Sequence, residues 1–182
     1  MIKENTFEEQ FYRLKRWYQR LEMINNNQIK NFNSTYHYED EFYVFFLNCY
    51  HLKDWIKNDE SIILKGDIED FINNNKCMSI CADICNGQKH LKLLRTRSGC
   101  IPKLGKRDLH FEYKKENPTT WSMVGMKFYI KTEFGIIDAF ELATDCMEKW
   151  QEFIEKKINI ETDSLHYTCS DLKINGKSYF GY

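Results

Sequence analysis

The sequence predicts an α+β protein: mainly an α four-helix bundle, with a small antiparallel β-sheet inserted before the last helix. Three observations predict it. Apolar residues recur at three- and four-residue steps through much of the first 95 residues and again over 140–158. Between 108 and 140 the period changes to alternation. The chain is 182 residues long and carries no internal repeat and no Pro/Ser-rich linker, so it reads as a single domain, 1–182. Within it, 1–95 is the helical part, 108–140 the β insertion, 140–158 the closing helix and 159–182 a tail with weak strand signals.

The first helix is expected over Phe7 to Ile24, where Phe7, Phe11, Leu14, Tyr18 and Leu21 share a face and Glu8, Glu9, Lys15, Arg16 and Arg20 fill the other. The run Asn25-Asn26-Asn27 stops it, and Asn33-Ser34-Thr35 offers the next cap. From Tyr38 to Asn58 the apolar residues cover almost the whole circumference, the mark of a central, buried helix. A third helical stretch runs from Gly66 to Leu94 with Asp67 as its cap, and Asn73-Asn74-Asn75 offers a break within it. The segment from Lys89 to Arg107, with Gly99, Pro102 and Gly105, reads as a loop. Leu109, Phe111 and Tyr113 then alternate with polar residues, as do Met126, Phe128 and Ile130; Glu133-Phe134-Gly135 reads as a turn and 136–140 as a returning strand. In the closing helix Leu142, Cys146, Trp150, Phe153 and Ile154 form one face.

Composition narrows the function. Hydrophobic residues at 42% and charged residues at 29% describe a globular chain and not a disordered one. With 26 Lys+Arg against 27 Asp+Glu, a globally basic nucleic-acid binder is excluded, though a local basic patch is not. The seven cysteines are an odd number and the N-terminus is charged and amphipathic, so a reducing cytoplasm is expected and not a disulfide scaffold. No run approaches the ~18 apolar residues of a membrane span, so no membrane partner is expected.

Two segments carry chemistry. In His51-Leu52-Lys53-Asp54-Trp55, His51 and Asp54 share a face of the most apolar helix. There they are either a buried structural pair or an acid/base pair in which Asp54 orients the imidazole. In Asp83-Ile84-Cys85-Asn86-Gly87-Gln88-Lys89-His90, steps of ~100° per residue put Asp83, Asn86 and His90 in one arc, opposite Cys77, Cys81 and Cys85. Gly87 in a helix suggests close approach of another backbone or a ligand. Because the helix two pair needs polar partners, the two segments are expected to meet. Beyond them, Lys89, Lys92, Arg95, Arg97, Lys103, Lys106 and Arg107 form a basic stretch without a single Asp or Glu, suited to phosphates or to solvent. The Cys77/Cys81/Cys85 ladder reads as small core residues, and no metal or cofactor is called for. The chain lacks CxxC, HExxH, a phosphate-loop glycine pattern and GxSxG, which disfavours zinc peptidases, P-loop NTPases and α/β-hydrolases.

Asn86-Gly87-Gln88-Lys89-His90, late in a bundle helix, resembles the signature of the HEPN domains, small helical bundles found in bacterial toxins and defence proteins. Their ribonuclease members carry an Arg, often a following polar residue, and a His a few positions on. Asn86 and His90 match the polar residue and the His, while Cys85 stands where the Arg is expected. The HLKDW and NGQKH pair also looks like a group of uncharacterised bacterial proteins. The resemblance implies a metal-independent endoribonuclease or RNA-binding toxin or defence protein that works as a homodimer. In it His90 would be general acid/base, His51 a second acid/base or phosphate ligand, Asp54 and Asp83 orienting groups, Asn86 a phosphate contact and Lys89 the charge stabiliser; Lys92, Arg95, Arg97, Lys103, Lys106 and Arg107 would hold RNA. Two other readings stand beside it. One is a non-enzymatic module that binds a protein partner and uses the His/Asp/Asn cluster as a structural network. The other is a metal-dependent hydrolase built on His51, Asp54, Asp83 and His90.

Overall fold

The structure, a computed structural model, describes residues 6–29, 35–90, 93–113 and 121–160. Among the described residues the order is α1 (Phe7–Asn25), α2 (Thr35–Asn58), β1 (Ile62–Leu64), α3 (Ile68–Asn74), α4 (Lys76–Lys89), β2 (Lys103–Tyr113), β3 (Trp121–Thr132), β4 (Gly135–Asp138), α5 (Ala139–Lys157) and β5 (Ile158–Ile160). The architecture is α+β: α1, α2, α4 and α5 pack as a bundle, and β2-β3-β4 form an antiparallel sheet inserted before α5.

The amphipathic stripe of α1 becomes its packing face. Phe7, Phe11, Leu14, Leu21 and Ile24 are buried against α2 and α5. Gln10 is buried on the same face and donates to the Asn48 carbonyl (3.3 Å) and side-chain oxygen (3.1 Å) of α2. An outer clamp is added by Arg20, which meets Glu41 through two hydrogen bonds of 2.7 and 3.1 Å. α2 is central, as its apolar circumference predicts: it packs on α1, α4 and α5, with Phe42, Phe45, Phe46, Cys49, Leu52 and Ile56 buried.

The asparagine run does divide the third helical stretch. Asn75 is extended and serves as the C-cap of α3 and the N-cap of α4. The buried Ser79 hydroxyl donates to the carbonyls of Ile72 and Asn75, both at 3.0 Å, and the Asn75 amide donates to Phe71 at 2.7 Å. Carbonyl groups that a helix end leaves without partners are satisfied in this way.

Alternation in β3 puts Met126, Phe128 and Ile130 into the core, where Phe128 meets the Phe42 ring at 4.9 Å. Asp138 joins sheet to helix without a loop. Its Oδ1 caps α5 by accepting from the backbone N–H of Phe140 (2.8 Å) and Glu141 (3.2 Å), and its Oδ2 accepts from Lys127 of β3 (3.2 Å).

Two expectations are corrected. The stretch 89–107 is not all loop, because β2 starts at Lys103 and pairs with β3 from Lys131 backward. A second ladder, β1 with β5, is also present; its three-residue strands are too short to show a period.

The bundle centre brings together three thiols from three helices: Cys49 of α2, Cys81 of α4 and Cys146 of α5, all fully buried. Trp150, also fully buried, donates its indole N–H to the Cys49 carbonyl at 3.0 Å. Burial pushes thiols up, and Cys81 and Cys146 stay well above the usual thiol range. For Cys49, burial is outweighed by hydrogen bonds involving Cys146, Cys81 and Trp150, which bring it down to about 5.

α3 is tied to the rest by Glu69. Its carboxylate takes Lys53 of α2 at 2.8 Å and Arg97 at 2.8 Å, with Lys57 at 3.5 Å. Arg97 also reaches the Asn73 side-chain oxygen at 2.9 Å. The hydrogen bond from Lys53 comes first among the causes that hold Glu69 at about 2, below its ordinary 4.5. A depressed carboxylate stabilises the fold above its unfolded pKa and loses that contribution as pH falls through the folded one. Glu69→Gln is therefore expected to cost on the order of 1–2 kcal/mol at neutral pH, allowing for solvent screening. The difference from wild type should vanish between pH 4.5 and about 2. Urea titrations of both proteins across that range measure it; a difference that stays constant with pH would contradict the ion-pair account.

Candidate functional site

α4 ends at Lys89, and His90 leaves the helix in an extended conformation (φ −121, ψ 130) while its backbone N–H still donates to the Asn86 carbonyl at 3.1 Å. The chain then returns past this end as residues 101–103. Between the two lies a cleft of about 400 Å³, lined by Ile84, Gly87, Gln88 and His90 of the α4 end, Leu93, Ile101, Pro102 and Lys103 of the returning segment, and Tyr43 of α2. Its floor is apolar, and its polar side chains are Gln88, His90, Lys103 and Tyr43. Gln88, His90 and Lys103 are exposed. Tyr43 is half-buried and donates its hydroxyl to the Leu104 carbonyl at 3.4 Å, which holds β2 against α2. Gly87 is exposed at the mouth, and a Cβ there would meet nothing within 4 Å. The close helix approach suggested by the glycine is not present; open space lies over it.

Asp83 is what positions the returning segment. Only 1% of it is exposed, and its carboxylate accepts from the backbone N–H of Arg97 (2.9 and 3.0 Å), the backbone N–H of Ser98 (2.7 Å) and the Ser98 hydroxyl (2.6 Å). Gly99 follows at φ +75, a left-handed conformation that suits glycine, and turns the chain toward Ile101. Lys76, at the first turn of α4, also donates to the Ser98 carbonyl. Helical spacing places Asp83 in one polar arc with Asn86 and His90. It instead anchors a loop, with its oxygens committed to protein donors.

The other expected site residues separate by environment. His51 and Asp54 are exposed on α2, so they are not a buried pair. His51 Nε2 lies 3.8 Å from the Sγ of Cys85, the residue that precedes Asn86-Gly87-Gln88-Lys89-His90. His51 does not line the cleft. Asp54 is 3.3 Å from Lys53, whose ammonium is mainly engaged by Glu69. Asn86 is half-buried and Lys89 exposed on the last turn of α4. Among the basic residues, Lys103 lines the cleft, Arg95 is exposed and Arg97 is taken up by Glu69 and Asn73. Lys106 and Arg107 lie on β2, and Lys92 lies outside the described residues. Sequence reasoning missed Ser98, Tyr43 and the Ile101-Pro102 wall, since no local pattern links them to α4.

No family model, curated protein or solved structure matches the chain. No described helix is long and apolar enough to cross a membrane.

Replacing Asp83 with Ala would leave three buried or part-buried donors without their acceptor. The expected loss is on the order of 3 kcal/mol in a denaturant titration. Gly87→Ala has the opposite sign: with free space for the methyl group, it should stabilise α4 by up to about 1 kcal/mol. A destabilised Gly87→Ala protein would contradict the open cleft mouth.

Proposed function

We propose that the cleft at the end of α4 binds and cleaves RNA without a metal, as in a HEPN-like toxin or defence protein of the bacterial cytoplasm. The observation that carries this reading is the grouping of His90, Gln88 and Lys103 around one cleft with an apolar floor. Ile84, Leu93, Ile101 and Pro102 suit the face of a base, and the polar rim suits a ribose and phosphate. A helix C-terminus disfavours anions. Lys89 on the last turn and Lys103 across the cleft offset that and supply the charge for a phosphate. In the reaction His90 removes the proton of the ribose 2′-hydroxyl, the 2′-oxygen attacks phosphorus, and the 5′-oxygen leaves and takes up a proton. The products are a 2′,3′-cyclic phosphate and a 5′-hydroxyl. His51 lies outside this cleft, so a homodimer that pairs two clefts is the route to a second imidazole. The free thiols Cys49, Cys77, Cys81, Cys85, Cys100 and Cys146 suit a reducing compartment.

A second reading is favoured by one observation: Cys85, at the position where the motif Arg is expected, is buried, and its Sγ lies 3.8 Å from His51 Nε2. A cleft without that guanidinium fits an RNA-binding or protein-interaction module. The metal-dependent hydrolase built on His51, Asp54, Asp83 and His90 has less support, because Asp83 is committed to the loop.

Single-stranded RNA incubated with the purified protein and a chelator should yield cyclic-phosphate ends, with the fold checked by circular dichroism. His90→Ala should leave stability unchanged within ~0.5 kcal/mol and slow cleavage by 10²–10⁴-fold, the usual range for a general acid/base. Lys103→Ala should weaken RNA binding and lower the salt slope by about one. Binding without cleavage would select the module; neither binding nor cleavage by the wild type would remove the RNA reading.

A further inference from the structure

The three thiols at the bundle centre belong to neither the cleft nor the loop anchor. Cys49, Cys81 and Cys146 come from α2, α4 and α5, show no exposure, and place their Sγ atoms within 4.8 Å of one another. We infer that they bind a single thiophilic metal ion, zinc(II), in a structural role, with Cys77 as the fourth donor.

The geometry of the trio fits with little movement. Tetrahedral zinc–thiolate bonds of ~2.3 Å place sulfurs about 3.8 Å apart. The trio needs to contract by at most about 1 Å, within the reach of a side-chain rotation. Cys77 precedes Cys81 by one helical turn, which puts both on one face of α4. It is half-buried and its carbonyl accepts from Cys146 Sγ at 3.5 Å; its own Sγ lies outside the 4.8 Å group and must turn toward the trio to fill the fourth position. The remaining described cysteines have other neighbours: Cys85 meets His51 and Cys100 meets Ser98. If cysteines served here only as small apolar residues, nothing would require three of them, from separate helices, to point at one spot.

The donor set selects the ion. Sulfur donors without carboxylates disfavour magnesium, calcium and manganese. Copper(I) is satisfied by three thiolates, but a fourth cysteine beside the trio matches zinc. On coordination each ligating thiol gives its proton to solvent. The metal has no part in the proposed cleavage: Cys81 and His90 are nine residues apart, about 14 Å along α4. Its effect is to clip α2, α4 and α5 together, and α4 carries the cleft at its far end.

The full chain, unfolded in denaturant with reductant and chelator, is refolded with cobalt(II) as the probe. Cobalt–thiolate charge-transfer bands should appear, saturate at one equivalent and disappear when zinc(II) is added. Zinc-refolded protein at a hundredfold excess over Kd should melt roughly 5–10 °C above metal-free protein. Cys81→Ala should abolish bands and shift together, and Cys100→Ala should keep both. If Cys81→Ala does not fold, the wild-type bands and melting shift decide alone. Absence of both overturns the proposal, as do bands that survive in folded Cys81→Ala. Stabilisation by copper(I) with none by zinc(II) overturns the zinc assignment.

Discussion

The buried carboxylate of Asp83 is the constraint on which the cleft depends. A buried charge must be fully hydrogen-bonded to be tolerated, and Asp83 meets that requirement through the N–H groups of Arg97 and Ser98 and the Ser98 hydroxyl. The requirement is mutual. Two backbone donors of an irregular segment have no helix or strand partner, and the carboxylate supplies one. Because Ser98 is held, Gly99 turns the chain and Ile101, Pro102 and Lys103 arrive opposite the end of α4. From Lys103 onward β2 begins, so the register of the sheet starts from the same anchor.

The sequence pattern made the long elements legible because their stripes face a bundle core. Alternation in β3 likewise matched its buried face, with Met126, Phe128 and Ile130 inward. What the pattern did not show has a physical cause. α4 is buried on two faces: Cys81 and Cys85 face the bundle, and Asp83, near the opposite side, faces the loop. A polar residue opposite an apolar stripe therefore looked solvent-facing when it was a loop anchor. On α2 the exposure is reversed. An almost complete apolar circumference implied a buried His51 and Asp54, yet both emerge at exposed positions. The grouping of Cys49, Cys81 and Cys146 was not legible because its members are far apart in sequence, while the ladder of Cys77, Cys81 and Cys85 reads as core residues along one helix.

Charge within the basic stretch is divided by contacts that sequence cannot rank. Arg97 looked equivalent to its neighbours, but it binds Glu69 and Asn73, and its guanidinium lies 5.8 Å from the Tyr50 ring centroid. The Lys53 ammonium approaches the same ring at 4.9 Å and the same Glu69 at 2.8 Å. One tyrosine and one glutamate thus collect a cation from α2 and another from the loop after α4. The electrostatic capacity left in this stretch is correspondingly smaller than the count of basic residues suggests; among the described residues Lys89 and Arg95 are exposed and Lys103 lines the cleft.

Along α4 the roles are ordered by depth. From Met78 to Cys85 the helix is buried and holds Cys81 and, near its middle, Asp83; the last turn and His90 are exposed at the cleft. Rigidity at one end and access at the other are what a positioned reactive group requires, since a side chain on a fixed element keeps its geometry while remaining open to a substrate. His90 sits just past the last helical residue, where its backbone is tied to Asn86 but its side chain is outside the core. A histidine in that place contributes little to packing, whereas Asp83, two turns earlier, contributes much. The two residues that share one polar arc therefore belong to different levels of the molecule: one holds the wall of the cleft in place, and the other is exposed at its rim.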